Sequence, residues 1–160
     1  MQLANAILAL HSLEPPLHHG HITSRNILFD HQWKLKISDL GLRELKKYMS
    51  LKYSYSNKSQ YTAPEFLEEK GGVVSNPTGP GDIYAFGMIL YEIFTQKEPF
   101  KDISQKEIKR MVVTENTRPK ISEDIPDEIK TLIRTCWQKH AELRPSIKTI
   151  SEILQSIEVD

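Results

Sequence analysis

The first apolar positions fall at Leu3, Ala6, Ile7 and Leu10, which share one face of a helix. Glu14-Pro15-Pro16 ends that pattern, because proline has no amide donor and drives its predecessor out of the helical basin. A helix over 2–13 is therefore expected. Two short β-like runs, 26–29 and 34–37, are separated by Asp30-His31-Gln32-Trp33, a connection of hairpin length. From 43 to 60 the chain is polar, aperiodic and rich in Lys, Ser and Tyr, which describes an exposed loop. A short helix is expected over 63–69, and a loop over 70–81 from its glycine and proline content. Across 82–95 apolar residues cover nearly the whole circumference, the pattern of a helix buried on all sides. Three amphipathic helices complete the chain: 105–114 behind Ser104, 127–138 behind Pro126 and 146–157 behind Pro145.

Composition acts on this picture by exclusion. The chain has 160 residues, the size of one domain. Lys plus Arg number 21 and Asp plus Glu 21, so no global field draws in nucleic acid or an anionic membrane, and a partner must be recognised locally. A hydrophobic share of 39% with a charged share of 26% belongs to a globular chain, not a disordered one. Cys136 is the only cysteine, which rules out an internal disulfide and suits a reducing compartment. No apolar run approaches the roughly 20 residues of a membrane helix, and 1–11 lacks a basic segment or cleavage site. A soluble intracellular chain without direct membrane insertion is expected. The apolar stripe begins at residue 3 with no lead-in, which reads as a chain entered in mid-domain.

Three short strings carry the chemistry, in this order: His19-Gly20-His21-Ile22-Thr23-Ser24-Arg25-Asn26, then Asp39-Leu40-Gly41, then Ala63-Pro64-Glu65. Together they resemble the H-R-D-x-x-x-x-N catalytic loop, the D-F-G magnesium motif and the A-P-E motif of protein kinases, with a hairpin and a tyrosine-bearing loop in the intervals. Asp82-Ile83-Tyr84-Ala85-Phe86-Gly87 is similar to the start of the family's central helix, whose aspartate ties down the catalytic-loop backbone. Cys136-Trp137 and Glu142-Leu143-Arg144-Pro145 resemble a late C-W and E-R-P pair, in which Arg144 would hold Glu65. The resemblance covers 1–157, with 158–160 as a tail and 39–65 as the activation segment. It implies a mainly α fold: the helical C-terminal lobe of a kinase, with a small β-hairpin near the catalytic loop and the N-lobe absent. Leu13-Glu14-Pro15-Pro16, Pro99-Phe100 and Arg118-Pro119 are similar to the tyrosine-kinase-like branch.

The departures bear on function. The aspartate that orients the substrate hydroxyl and takes its proton is replaced by His21, the usual arginine by Gly20, and the lysine two residues on by Thr23. Asn26 and Asp39, the two oxygen donors that would hold magnesium, remain. No glycine-rich phosphate loop or V-A-I-K lysine is present, so the chain carries half of an ATP site. Mg-ATP is expected only in a full two-lobed protein, and no cofactor for this chain alone. His19-Gly20-His21 resembles the kinase-homology region of receptor guanylate cyclases, the approach 11–15 is similar to integrin-linked kinase, and Ser24-Arg25-Asn26 to the mixed-lineage kinase-like pseudokinase. All three resemblances imply a pseudokinase that acts as a scaffold or regulator through protein partners or a fused effector domain, in the cytoplasm or on the cytoplasmic side of a receptor. The alternative is an atypical active kinase whose N-lobe lies outside this chain and in which His21 or water takes the proton.

Plainer readings stand beside these. His18, His19 and His21, with His11 and His31, invite a metal reading, but no second group has ligand spacing, so they are read as loop histidines, His19 as a packing residue. Asp39 could be only a turn residue before Gly41. Tyr48, Tyr53 and Tyr55 are candidate phosphosites with Arg25 the nearest partner, or plain exposed aromatics. Lys106, Glu107, Lys109 and Arg110 read as a solvated helix face, and Trp33 and Trp137 as packing residues.

Overall fold

The computed structural model describes residues 1–41, 59–68 and 76–157. Helix α1 is Gln2–His11, ending two residues before the expected boundary. Strands β1, Ile27–Phe29, and β2, Leu35–Ile37, pair antiparallel with Ile27 opposite Ile37 and Phe29 opposite Leu35, which forms the expected hairpin. Helix α2, Pro64–Leu67, is a single turn with proline in its first turn. Helix α3 is Gly79–Thr95, α4 is Gln105–Lys109, α5 is Asp127–Cys136 and α6 is Ile147–Ser156. The described part is thus mainly helical with one two-stranded sheet.

Three expectations are corrected. Helix α3 begins at Gly79, within the predicted loop: the Thr78 hydroxyl accepts the Gly81 amide, and Pro80 in the first turn needs no amide partner. Gly-Pro-Gly is here a helix start, not a loop. The expected helix 105–114 holds to the α pattern only as far as Lys109 and continues over Arg110–Thr114 with the wider i→i+5 turn, seen in the Glu115 amide donating to the Arg110 carbonyl at 3.2 Å. Trp33 also departs from its expected packing role, being 76% exposed, whereas Trp137 is buried.

The core forms around α3, in which every residue from Gly81 to Tyr91 is buried. Helix α5 packs on it through Ile129, Leu132, Ile133 and Cys136, and α6 meets α1 through Ile147 and Ile150. Each such buried side chain contributes about 1.5–3 kcal/mol. Helices α3 and α5 approach so closely at Gly87 that a Cβ there would lie 2.7 Å from the Cys136 Cβ, which is why that position is glycine. The hairpin is held on α1 by Gln2, whose amide donates to the Trp33 carbonyl at 3.1 Å and accepts the Leu35 amide at 2.8 Å.

Candidate functional site

The 19–26 loop is organised by a buried charge. Asp82, 1% exposed in the first turn of α3, accepts the His19 amide on Oδ2 and the Gly20 amide on Oδ1, both at 2.8 Å. The His11 Nε2–H, at the end of α1, donates to the same Oδ2 at 2.9 Å. A buried carboxylate with three donors is compensated, and it fixes the loop backbone to two helices. Gly20 bends there with φ 70°, a left-handed conformation that glycine adopts without steric cost. His18 lies edge-on against the His11 ring, with centroids 4.9 Å apart.

His19 is completely buried and fixed in one tautomer. Its Nδ1 accepts the His21 amide at 3.2 Å, so its Nε2–H is the donor to the Ser38 carbonyl at 2.9 Å. Ser38 in turn donates its amide to the Asn26 carbonyl at 2.9 Å. The loop and the strand end before Asp39 are therefore one hydrogen-bonded unit. Asp39 follows with φ 65°, its side chain exposed, and Gly41 has φ 79° with open space at its Cβ, so backbone conformation and not crowding calls for glycine.

Asn26 is buried and committed at both ends of its amide. Its Nδ2 donates to the His21 carbonyl at 2.7 Å, and its Oδ1 accepts the Thr23 hydroxyl at 3.2 Å. His21 lines a small cleft with Gly20, Thr23, Tyr61, Thr62 and Asp82, whose volume of about 20 Å³ holds little more than a water. The far wall is Tyr61: its hydroxyl donates to Glu92 of α3 at 2.6 Å, which leaves Ser24 to donate to the Tyr61 oxygen at 3.0 Å. Burial, reinforced by Glu92, pushes the Tyr61 phenol well above its usual range.

Glu65, on α2, meets Arg144 in a two-pronged pair, Nη1 to Oε1 at 2.7 Å and Nη2 to Oε2 at 2.8 Å. The carbonyls of Gln138, Pro80 and Lys139 take the three remaining donors, so a guanidinium with 0% exposure keeps every N–H paired. Its plane lies over the Tyr84 ring, 5.2 Å from the centroid.

The structure thus gathers His11, His19, Gly20 and Asp82 at one point, His21, Thr23 and Asn26 at a second, and Glu65 with Arg144 at a third. Tyr48, Tyr53 and Tyr55 lie outside the described residues. The roles of His11, expected as a loop histidine but placed at the end of α1, and of Ser24, Tyr61 and Glu92 escaped the sequence reading, since their partners lie 31–71 positions away. The one available signal was the buried Asp82, which needs more donors than two amides.

Magnesium fits the chemistry of the donor set. Asn26 and Asp39 offer oxygen, which a hard cation prefers, and Asp39 is exposed with no hydrogen bond among the described residues. Asn26 Oδ1 keeps one lone pair beside the Thr23 bond. Among the described residues, no three His, Cys, Asp or Glu side chains converge as metal ligands.

Residues 1–154 match the sequence model of the protein tyrosine and serine/threonine kinases. The chain is 37% identical over 155 residues to the dual specificity protein kinase shkC of Dictyostelium discoideum, covering 94% of this chain and 30% of that protein. It is 32% identical over 154 residues to the putative serine/threonine-protein kinase/receptor R826 of Acanthamoeba polyphaga mimivirus, covering 96% and 9%. It is 31% identical over 169 residues to the Resact receptor of Arbacia punctulata, covering 98% and 17%. The chain spans less than a third of the length of each of these curated relatives.

Proposed function

This chain belongs to the protein tyrosine and serine/threonine kinase family, and from that premise we propose that it is the helical lobe of a pseudokinase, a signalling module that binds protein partners or regulates an attached domain without transferring phosphate. The observation that carries the reading is His21. Its backbone is held in the frame of the catalytic loop, the amide on His19 and the carbonyl on Asn26, while an imidazole stands where the family places the carboxylate that orients the attacking hydroxyl. The cleft beside it has room for about one water and offers no second base among its lining residues apart from Asp82, whose carboxylate is already taken by three donors.

Asn26 and Asp39 would hold the ion of a residual Mg-nucleotide half-site. Bound magnesium supplies charge neutralisation to the nucleotide phosphates. Thr23 steadies Asn26 by donating to its Oδ1, and the Ser38 links to His19 and Asn26 set the strand end from which Asp39 projects. The two receptor-type relatives favour a fused or membrane-tethered context with this lobe on the cytoplasmic side. Among the described residues no helix is long and apolar enough to cross a membrane.

A radiometric assay on the full-length native protein tests the reading. The expected result is no phosphate transfer above that of Asp39→Ala; transfer that disappears in Asp39→Ala and follows the ionisation of one imidazole lost in His21→Ala would establish the active, atypical kinase instead. Mg-ATP at about 100 times its dissociation constant should still stabilise that protein by roughly 2.7 kcal/mol if the half-site works.

A further inference from the structure

A second and much larger concavity, about 1100 Å³, opens between the chain leaving α3 and the segment 117–124, and shares no lining residue with the His21 cleft. Its floor is apolar: Phe100 and Ile121 are buried, and Ile103 and Met111 are partly so. Its rim is charged, and the two signs differ in what they already hold. Glu98 accepts from Gln60, Glu123 lies 3.7 Å from Lys130, and Asp124 accepts from Ser122 with the charge of Lys97 nearby. Lys97, Lys101 and Lys120 are exposed and make no ion pair among the described residues. Arg118 adds a cation without a carboxylate partner among the described residues: its Nε and Nη1 donate to the Trp137 and Thr117 carbonyls at 2.9 Å, its guanidinium lies 5.3 Å from the centroid of the Tyr84 ring, and its buried Nη2 has no hydrogen-bond partner among those residues. Two wall residues hold left-handed backbone: Gln96, φ 55°, as the C-cap that ends α3, and Phe100, φ 50°, a costly conformation for a residue other than glycine.

We propose that this groove docks an extended, acidic segment of a partner protein, its apolar side chains seated on Phe100, Ile103 and Met111 and its carboxylates on Lys97, Lys101 and Lys120. Charge complementarity selects this occupant: the lining carries four cations, Lys97, Lys101, Arg118 and Lys120, against three acids, Glu98, Glu123 and Asp124, so its surplus is positive. The site stands whether or not the chain transfers phosphate, because no residue of the His21 cleft takes part.

The test is a selection of random twelve-residue peptides on the immobilised 160-residue chain, followed by fluorescence anisotropy of the selected peptides. Selected sequences should pair Asp or Glu with large apolar residues. Their affinity should fall at least tenfold in K97E/K101E/K120E and weaken between 50 and 500 mM salt. The milder K97Q/K101Q/K120Q variant, checked by thermal unfolding to keep its fold, should lose affinity in the same direction. Selection of basic or uncharged peptides, or equal binding to wild type and both variants, would overturn the proposal. So would concentration-dependent dimerisation of the wild type that the triple variant abolishes, since a second copy would then be the occupant.

Discussion

Arg144 and Glu65 are where a single residue decides most. With all five guanidinium donors engaged and no solvent exposure, Arg144 cannot relax into water when its partner is neutralised. Glu65→Gln should therefore destabilise the chain by about 3 kcal/mol, at the lower end for a broken buried pair because Glu65 itself is 32% exposed. Urea unfolding measures it, and a loss under 1 kcal/mol would show the pair to behave as a surface bridge. Cys136 and Tyr84 give a pH signature. Burial pushes the thiol from 9.0 to about 12 and the phenol from 10.0 to about 12, the latter opposed by the charges of Arg118 and Arg144. Groups whose native values are raised give stability that is present below about pH 9 and drains away as the pH climbs towards 12. Native Cys136 should accordingly resist iodoacetamide at pH 8 and react only as fast as the chain unfolds, whereas labelling at the rate of a free thiol would contradict its burial.

At the scale of elements, the contact of α3 with α5 carries a direct prediction. Gly87→Ala places a methyl 2.7 Å from the Cys136 Cβ, with the Trp137 backbone amide at 3.4 Å, so one helix must move. The expected cost is about 1–3 kcal/mol by chemical denaturation, and an unchanged midpoint would mean that the two helices slide freely. Thr78→Ala, removing the cap that accepts the Gly81 amide, should cost about 1 kcal/mol in the same measurement. These two positions also show what was legible in the sequence. The nearly all-round apolar run of 82–95 and the amphipathic pattern of 127–138 announced both helices, and Pro15 and Pro16 announced the end of α1, because each is a local rule acting on neighbours. The start at Gly79 was hidden, since Gly-Pro-Gly obeys turn chemistry and helix-start chemistry alike and only the Thr78 hydroxyl decides between them. The i→i+5 turn at Arg110–Thr114 was hidden for a different reason: residues three and four apart still share a face, so the pattern does not record the extra residue per turn. Within the candidate site, motif order pointed to Asp39, Asn26 and Asp82 as candidates, while His11 and Tyr61 depend on contacts made only after folding.

For the molecule as a whole, the hairpin poses the question of what lies against it. Leu28, Phe29, Trp33 and Leu40 are 51%, 54%, 76% and 44% exposed, and the Phe29 and Trp33 rings stand 6.1 Å apart. Gln2 clamps the hairpin to α1 through Trp33 and Leu35, and Ser38 ties its far end to Asn26 and His19, so this apolar surface is presented on a fixed support beside the candidate nucleotide half-site. An apolar patch on a rigid element marks an interface, and on the pseudokinase reading proposed above a nucleotide-clamping lobe is its expected cover. Tryptophan quenching separates the alternatives, because Trp33 is open to solvent and Trp137 is buried. In the 160-residue chain one tryptophan should be readily quenched by acrylamide and the other protected, and Trp33→Phe should remove the quenchable component. In a native protein that carries a second lobe, that component should become protected, and Phe29→Glu should restore its quenching without moving the unfolding midpoint of the helical core. A Trp33 that stays equally accessible in such a protein would leave the hairpin as free surface and remove the case for a second lobe closing over Asn26 and Asp39.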